Sequence, residues 1–199
     1  MTGERWLIAG LGNPGADYAG NRHNAGFLVA GVLTARIGAR FRASKFRTMA
    51  AAGTLGGLSV LIVKPLTFMN ESGSALAGLS GYYRVPPDRI VVIHDELDLP
   101  FGTIRLKRGG GDNGHNGLRS VTTSLRTREY YRVRLGIGRP SGRVDPAAYV
   151  LRDFSAAECK ELPLVVERAA DAVEMLLARG LAATQNAFHP GTLPESPAP

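Results

Sequence analysis

The chain has 199 residues, 44% of them apolar and 21% charged, with 24 Lys plus Arg against 17 Asp plus Glu for a net charge of +7. That apolar content supplies one sizeable core, which excludes global disorder, and the length suits a single domain. The lone cysteine, Cys159, excludes an internal disulfide and any all-cysteine metal site within the chain. No apolar run approaches the length of a membrane span, and the start MTGERWLIAGLG lacks a secretory signal pattern, so a cytoplasmic, non-membrane protein is expected.

Charge is unevenly spread. Residues 21–70 hold seven basic and no acidic residues, 103–143 hold ten basic and two acidic, and the stretch from Val144 holds eight acids against four bases. A basic surface on the first three quarters of the chain suits a polyanion such as nucleic acid, with the acidic remainder limiting indiscriminate adhesion.

In chain order, Trp6 to Leu11 reads as a buried strand ending in glycines. His23 to Ile37 follows as a helix with Ala25, Leu28, Val29, Val32, Leu33 and Ile37 at helical spacing. Leu58 to Val63 reads as a second strand, ahead of a helix containing Ala75, Leu76 and Leu79. Ile90 to His94 is a strongly apolar, β-branched strand; Thr103 to Lys107 and Tyr131 to Ile137 alternate as strands with one wetter face. Asn116 to Leu125 is a short helix after the run Gly109-Gly110-Gly111-Asp112-Asn113-Gly114. Ser155 and Glu158 have capping-box spacing before a long helix marked by Leu162, Val166, Ala169, Val173 and Leu177. The expectation is an α/β protein, a single compact domain over residues 1–190 with a central twisted mixed β-sheet flanked by helices, and a flexible tail over 191–199.

Three loops could carry chemistry. Gly10-Leu11-Gly12-Asn13-Pro14-Gly15 has bare dinucleotide-loop spacing, but Pro14 delays the helix and no ribose-binding acid follows; the Lys-Ser or Lys-Thr of a P-loop is also missing. His23, near a helix start, is either a surface or capping histidine or a general base. Asp95, just after a strand, could orient such a base, while His94 should project away from the Asp95 side chain as a structural residue. Glu96 and Asp98 leave a weak metal alternative. Asn116 follows the glycine-rich loop, Met69 could pack in the core, and Asn70 could cap a helix or bind a carbonyl. With no Gly-x-Ser-x-Gly motif and Cys159 far from these loops, water is the better nucleophile, and one base, one carboxylate and several amides suit hydrolysis of an activated ester.

The segments Gly10 to Gly15 with Tyr18, Asn21-Arg22-His23-Asn24-Ala25-Gly26, Lys64 to Gly73, His94-Asp95-Glu96-Leu97-Asp98 and Gly114 to Ser120 resemble, in order and relative position, those of bacterial-type peptidyl-tRNA hydrolases over residues 5 to 190. The resemblance implies cofactor-free and metal-free hydrolysis of the ester between a peptide and the terminal ribose of tRNA. It implies His23 as base and Asp95 as its orienting partner. Asn13, Asn70 and Asn116 would bind the peptide main chain or position water, and Tyr18 and Met69 would shape the substrate end. Lys107 and Arg134, with Arg108 nearby, would grip the tRNA 5′-phosphate. A monomer without an obligate protein partner is the corresponding expectation. A non-catalytic RNA-binding relative would share the basic face but would not need the set Asn13, His23, Asp95 and Asn116. The chain departs from the resemblance at Asn113, where the family commonly has a small residue, and at the acidic Asp112 before it. The segment Arg139 to Ala148 is expected to form a mobile cover over the peptide cleft.

Overall fold

The computed structural model describes residues 5–189; the expected flexible tail at 191–199 lies outside them. A seven-stranded mixed sheet runs in the order β2-β3-β4-β1-β5-β7-β6. Its strands are β1 (Trp6–Gly10), β2 (Arg42–Ser44), β3 (Thr48–Leu55), β4 (Leu58–Pro65), β5 (Ile90–Glu96), β6 (Ile104–Arg108) and β7 (Tyr131–Gly136). Strands β4, β1, β5 and β7 are parallel, while β2, β3 and β6 add antiparallel edges.

The central strands β1, β4 and β5 are largely apolar on both sides because helices cover both faces. Ile8, Ile62, Val91 and Ile93 pack with α1 (Ala25–Arg36) and α5 (Ala156–Phe188). Leu7, Ala9, Leu61, Val63 and Val92 pack with α2 (Ser72–Tyr83) and α3 (Asn116–Leu125). A five-residue helix, α4 (Pro146–Val150), precedes α5. The capping box at Ser155 and Glu158 is present, and α5 is broken at Gly180, whose φ is 78°. Among the described residues no helix is long and apolar enough to cross a membrane.

The sequence reading contained no strand between the first helix and Leu58, yet β2 and β3 are there. Met49-Ala50-Ala51-Ala52-Gly53 has little of the β-branched and aromatic character that marks a strand, and its pairing along the whole of β4 supplies what local propensity does not. The first helix begins two residues later than expected, at Ala25, after a 3-10 turn over Arg22–Asn24. Strand β5 runs on through Asp95 and Glu96, so both are strand residues instead of loop residues. Part of the segment expected to be a cover is ordered as α4.

From β1 the chain passes to β4 on one side, then returns from β4 to β5 on the other. The strand order therefore reverses between β1 and β5, and the crevice at their carboxyl ends is where open α/β sheets place ligands. Helix α1 meets this crevice at van der Waals distance through Gly26: a Cβ there would lie 2.3 Å from the Ile93 carbonyl oxygen and 2.5 Å from the Leu11 nitrogen. Both obstacles are backbone. Gly26→Ala is therefore expected to lower stability by about 1–3 kcal/mol or more, read as a fall in Tm; an unchanged Tm would contradict this packing.

Candidate active site

The 3-10 turn at 22–24 places His23 over the end of β5. His23 is buried, and its Nδ1–H donates to Asp95 Oδ1 at 2.9 Å and Oδ2 at 3.0 Å. With Nδ1 so engaged, the lone pair of the neutral ring sits on Nε2. Burial disfavours the imidazolium, but the charge and hydrogen bond of Asp95 outweigh it and hold the His23 pKa above its ordinary value. Burial would likewise raise the Asp95 carboxyl, yet the two imidazoles flanking it keep its pKa far below the usual carboxylate range.

The second imidazole is His115, a residue that the sequence reading left without a role. Its Nδ1 accepts from the main-chain N–H groups of Gly117 and Leu118 as the N-cap of α3, so the proton of the neutral ring is on Nε2. That Nε2–H donates to Asp95 Oδ1 at 3.0 Å. The signal available in the sequence was its position immediately before a helix, where a side-chain acceptor is needed. Its ring centroid lies 4.8 Å from that of His23 and 4.9 Å from that of His94. His94 does not touch the Asp95 carboxylate. Its Nδ1–H donates to the Asp95 main-chain oxygen at 2.7 Å, and burial, with His115 and Arg132 nearby, pushes its pKa well down.

His23, Asp95 and His115 converge closely enough to suggest a metal site. The hydrogen-bond pattern argues otherwise: the facing imidazole nitrogens are both donors to Asp95, and the Nδ1 of His115 is occupied by two backbone N–H groups. The other acids considered for a metal are also engaged, Glu96 with Arg134 and Asp98 with Arg139.

Two cavities meet at this centre, sharing His23, Asn116, Ala147 and Val150. One, of about 270 Å³, is lined further by Asp95, Glu96, Asn113 and His115. The other, of about 420 Å³, is lined by Asn13, Tyr18, Phe68, Met69, Asn70 and Leu151. The sequence-selected residues Asn13, Tyr18, Met69, Asn70 and Asn116 therefore surround one cleft, with α4 as its roof.

Asn13 is held by Asn24, whose side chain accepts from the Asn13 N–H at 2.8 Å and donates to its carbonyl at 3.0 Å. Sequence reasoning gave Asn24 no role. Because Asn13 Oδ1 accepts from the Met69 N–H, its Nδ2 donor is the polar group offered to the cleft. Met69 is both core and cavity wall. Asn70 makes no capping hydrogen bond to α2, which begins two residues later; it lies in a 3-10 turn and borders the cleft. The roof is fastened beside His23: Arg22 donates to the carbonyls of Arg152 and Asp153 and to Glu158, and stacks 4.3 Å over the Tyr149 ring.

Cross-strand register puts Arg105 opposite Arg134 and Lys107 opposite Arg132, so these four point to one face of β6 and β7. Arg132 is fully buried and donates to the carbonyls of Gly110 and Gly111, bracing the glycine-rich loop. Lys107 has its pKa lowered by burial and by the adjacent Arg134 and Arg132, a pairing of cations that an anion would relieve. Arg108 points to the opposite face, beside Glu129 and Tyr131, and is not brought together with Lys107 and Arg134.

A doubly covered α/β sheet with a carboxylate-oriented imidazole facing an amide-lined cleft is the framework of a hydrolase that activates water. Residues 7–196 match the family described as peptidyl-tRNA hydrolase. A peptidyl-tRNA hydrolase of Frankia alni is 57% identical over 184 residues, covering 92% of this chain and 93% of that protein. One of Mycolicibacterium smegmatis is 56% identical over 187 residues, covering 94% and 98%. The crystal structure of peptidyl-tRNA hydrolase from Acinetobacter baumannii superposes with a TM-score of 0.87 at 35% identity, covering 94% of this chain and 95% of that one. The chain belongs to the peptidyl-tRNA hydrolase family.

Proposed function

We propose that the protein hydrolyses the ester between the peptide and the terminal ribose of peptidyl-tRNA, with His23 as general base and Asp95 as its orienting partner. The observation that carries this reading is the tautomer of His23: Nδ1 is committed to Asp95, so Nε2 is free to take a proton from water in the cleft. The water oxygen then attacks the ester carbonyl carbon. Negative charge that develops on the carbonyl oxygen is opposed by an amide N–H donor, Asn116 or Asn70, both of which border the cleft beside His23. As the tetrahedral intermediate collapses, the carbon–oxygen bond to ribose breaks and the His23 imidazolium returns its proton to the departing ribose oxygen.

The cavity lined by Asn13, Tyr18, Met69 and Asn70 takes the peptide, with the Nδ2 donor of Asn13 directed to a peptide carbonyl. The opposite cavity, bordered by Glu96, takes the ribose end, and Lys107 with Arg134 holds the 5′-phosphate beyond it. Arg108, on the other face of the strand, is left for a separate backbone phosphate. The segment from Arg139 into α4 serves as the cover. We assign the working protein as a cytoplasmic monomer that needs no obligate protein partner, cofactor or metal.

The deciding experiment is a time course with a defined peptidyl-tRNA and an aminoacyl-tRNA bearing a free amino group, resolving tRNA from released peptide or amino acid. Rapid cleavage of the first alone is expected. Comparable cleavage of both would remove the assignment of the amide-lined cavity to the peptide, and cleavage of neither would remove the activity.

A further inference from the structure

Asn113, where this chain departs from the small residue common in its family, lies between two carboxylates. Its Nδ2 donates to Glu96 Oε1 at 2.8 Å and to Asp98 Oδ2 at 2.5 Å. On the far side of each carboxylate stands an arginine: Glu96 Oε2 accepts from Arg134 Nε at 3.0 Å and lies 3.0 Å from its Nη2, and Asp98 Oδ1 accepts from Arg139 Nε. The result is one continuous polar chain, Arg134, Glu96, Asn113, Asp98, Arg139. A neutral group with two N–H donors fits the middle of it, since a cation there would compete with the arginines and a carboxylate would repel both acids.

The backbone supports the choice of residue. Asn113 has φ of 51°, between Asp112 and the left-handed Gly114, and asparagine tolerates that region better than most side chains. Glu96 is buried, so its carboxylate cannot swing freely into solvent, and the oxygen not bound to Asn113 is the one that fixes Arg134. With Nε and Nη2 turned to Glu96, Arg134 has Nη1 left as the edge it can present to an incoming anion.

We propose that Asn113 is a positioning residue for the tRNA end of the substrate, holding Glu96 so that Glu96 aims Arg134 at the 5′-phosphate. This rests on the reading of Arg134 as a phosphate ligand given above. Asn113 acts through Glu96, and its contribution belongs to substrate binding instead of proton transfer.

The test compares peptidyl-tRNA carrying a 5′-phosphate with the same molecule carrying a 5′-hydroxyl, for the parent protein, N113G, N113D, R134A and the N113G/R134A double variant. N113G removes the amide while keeping the left-handed backbone free of strain, and N113D keeps the shape but sets a third carboxylate against the other two. N113G is expected to raise KM for the 5′-phosphorylated substrate about threefold to tenfold, with a smaller change in kcat and a distinctly smaller rise in KM for the 5′-hydroxyl substrate. N113D should do the same more strongly, and N113G should add nothing to R134A, because both act through one group. Equal KM changes for the two substrates, an effect confined to kcat, or additive effects in the double variant would overturn the proposal. If R134A itself leaves the preference for the 5′-phosphate intact, the phosphate clamp fails and the proposal fails with it. A lost preference in R134A beside an unaffected N113G overturns the role of Asn113 alone.

Discussion

Replacing His23 by alanine is expected to lower kcat for peptidyl-tRNA by about 10²–10⁴-fold while changing KM little, the range that a positioned general base contributes. The asymmetry follows from geometry. His23 has its Nδ1 tied to Asp95 and forms only part of the wall of the two cavities, whereas Asn13, Tyr18, Met69 and Asn70 and the basic face of β6 and β7 are separate residues. The fold should survive, because the turn at 22–24 is held by Arg22 and Asn24 through contacts that do not involve the imidazole. A purified, folded His23→Ala variant with near-parent turnover would show that the proton acceptor lies elsewhere.

Asp95→Asn should cost nearly as much through a different route. The amide keeps the volume of the carboxylate but faces two imidazole N–H donors with a single acceptor oxygen, and its own NH2 group invites the His23 tautomer in which Nδ1 is the acceptor. That tautomer puts the proton on Nε2, where the base must be free, and a loss of about 10²–10⁴ in kcat follows. His115 cannot adapt in the same way, because Gly117 and Leu118 fix its Nδ1 as an acceptor.

The substitution also has a signed effect on pH dependence. Asp95 is what raises the His23 pKa against the opposing effect of burial. The base must be neutral, so kcat/KM for the parent rises with pH through that elevated value. Without the carboxylate charge, burial acts alone and the imidazole loses its proton at lower pH. The acid limb of the Asp95→Asn profile should therefore move to lower pH even as its plateau falls. A limb that stays in place would mean that the group titrating in kcat/KM is not His23.

Much of the site was legible before any coordinates. Period and composition marked β1, β4, β5, β6 and β7, and Ser155 with Glu158 marked the start of α5, because each is a local pattern whose meaning does not depend on partners. His23, Asp95 and Asn116 stood out through residue type and place beside strands or glycine turns, Asn13 through the family resemblance, and the structure brings all four to the crevice between β1 and β5. Less legible were the groups whose roles come only from a neighbour distant in sequence. Asn24 looks like one more polar residue until its amide is seen spanning the Asn13 backbone. His115 is an ordinary helix-leading histidine until Asp95, 20 residues away, is found opposite its Nε2.

The strands β2 and β3 illustrate the same division. An alanine-rich segment has no intrinsic preference strong enough to declare itself, and only the full-length pairing with β4 makes it a strand. Likewise, the family resemblance grouped Arg108 with Lys107 and Arg134, and strand alternation separates it from the other two.

By itself, then, the sequence determined the α/β alternation and the excess of positive charge outside the C-terminal helix, both encoded in local spacing and residue chemistry, while its resemblance to a known family singled out His23 and Asp95 as a candidate base and carboxylate. The tertiary structure decided which imidazole nitrogen is free, that a second histidine shares Asp95, that two cavities meet at His23, and that Asn113 stands between two acid–arginine pairs. Those features depend on directions and distances between segments, and hydrogen bonds and like-charge repulsions take their sign and size only once the chain has brought the groups together.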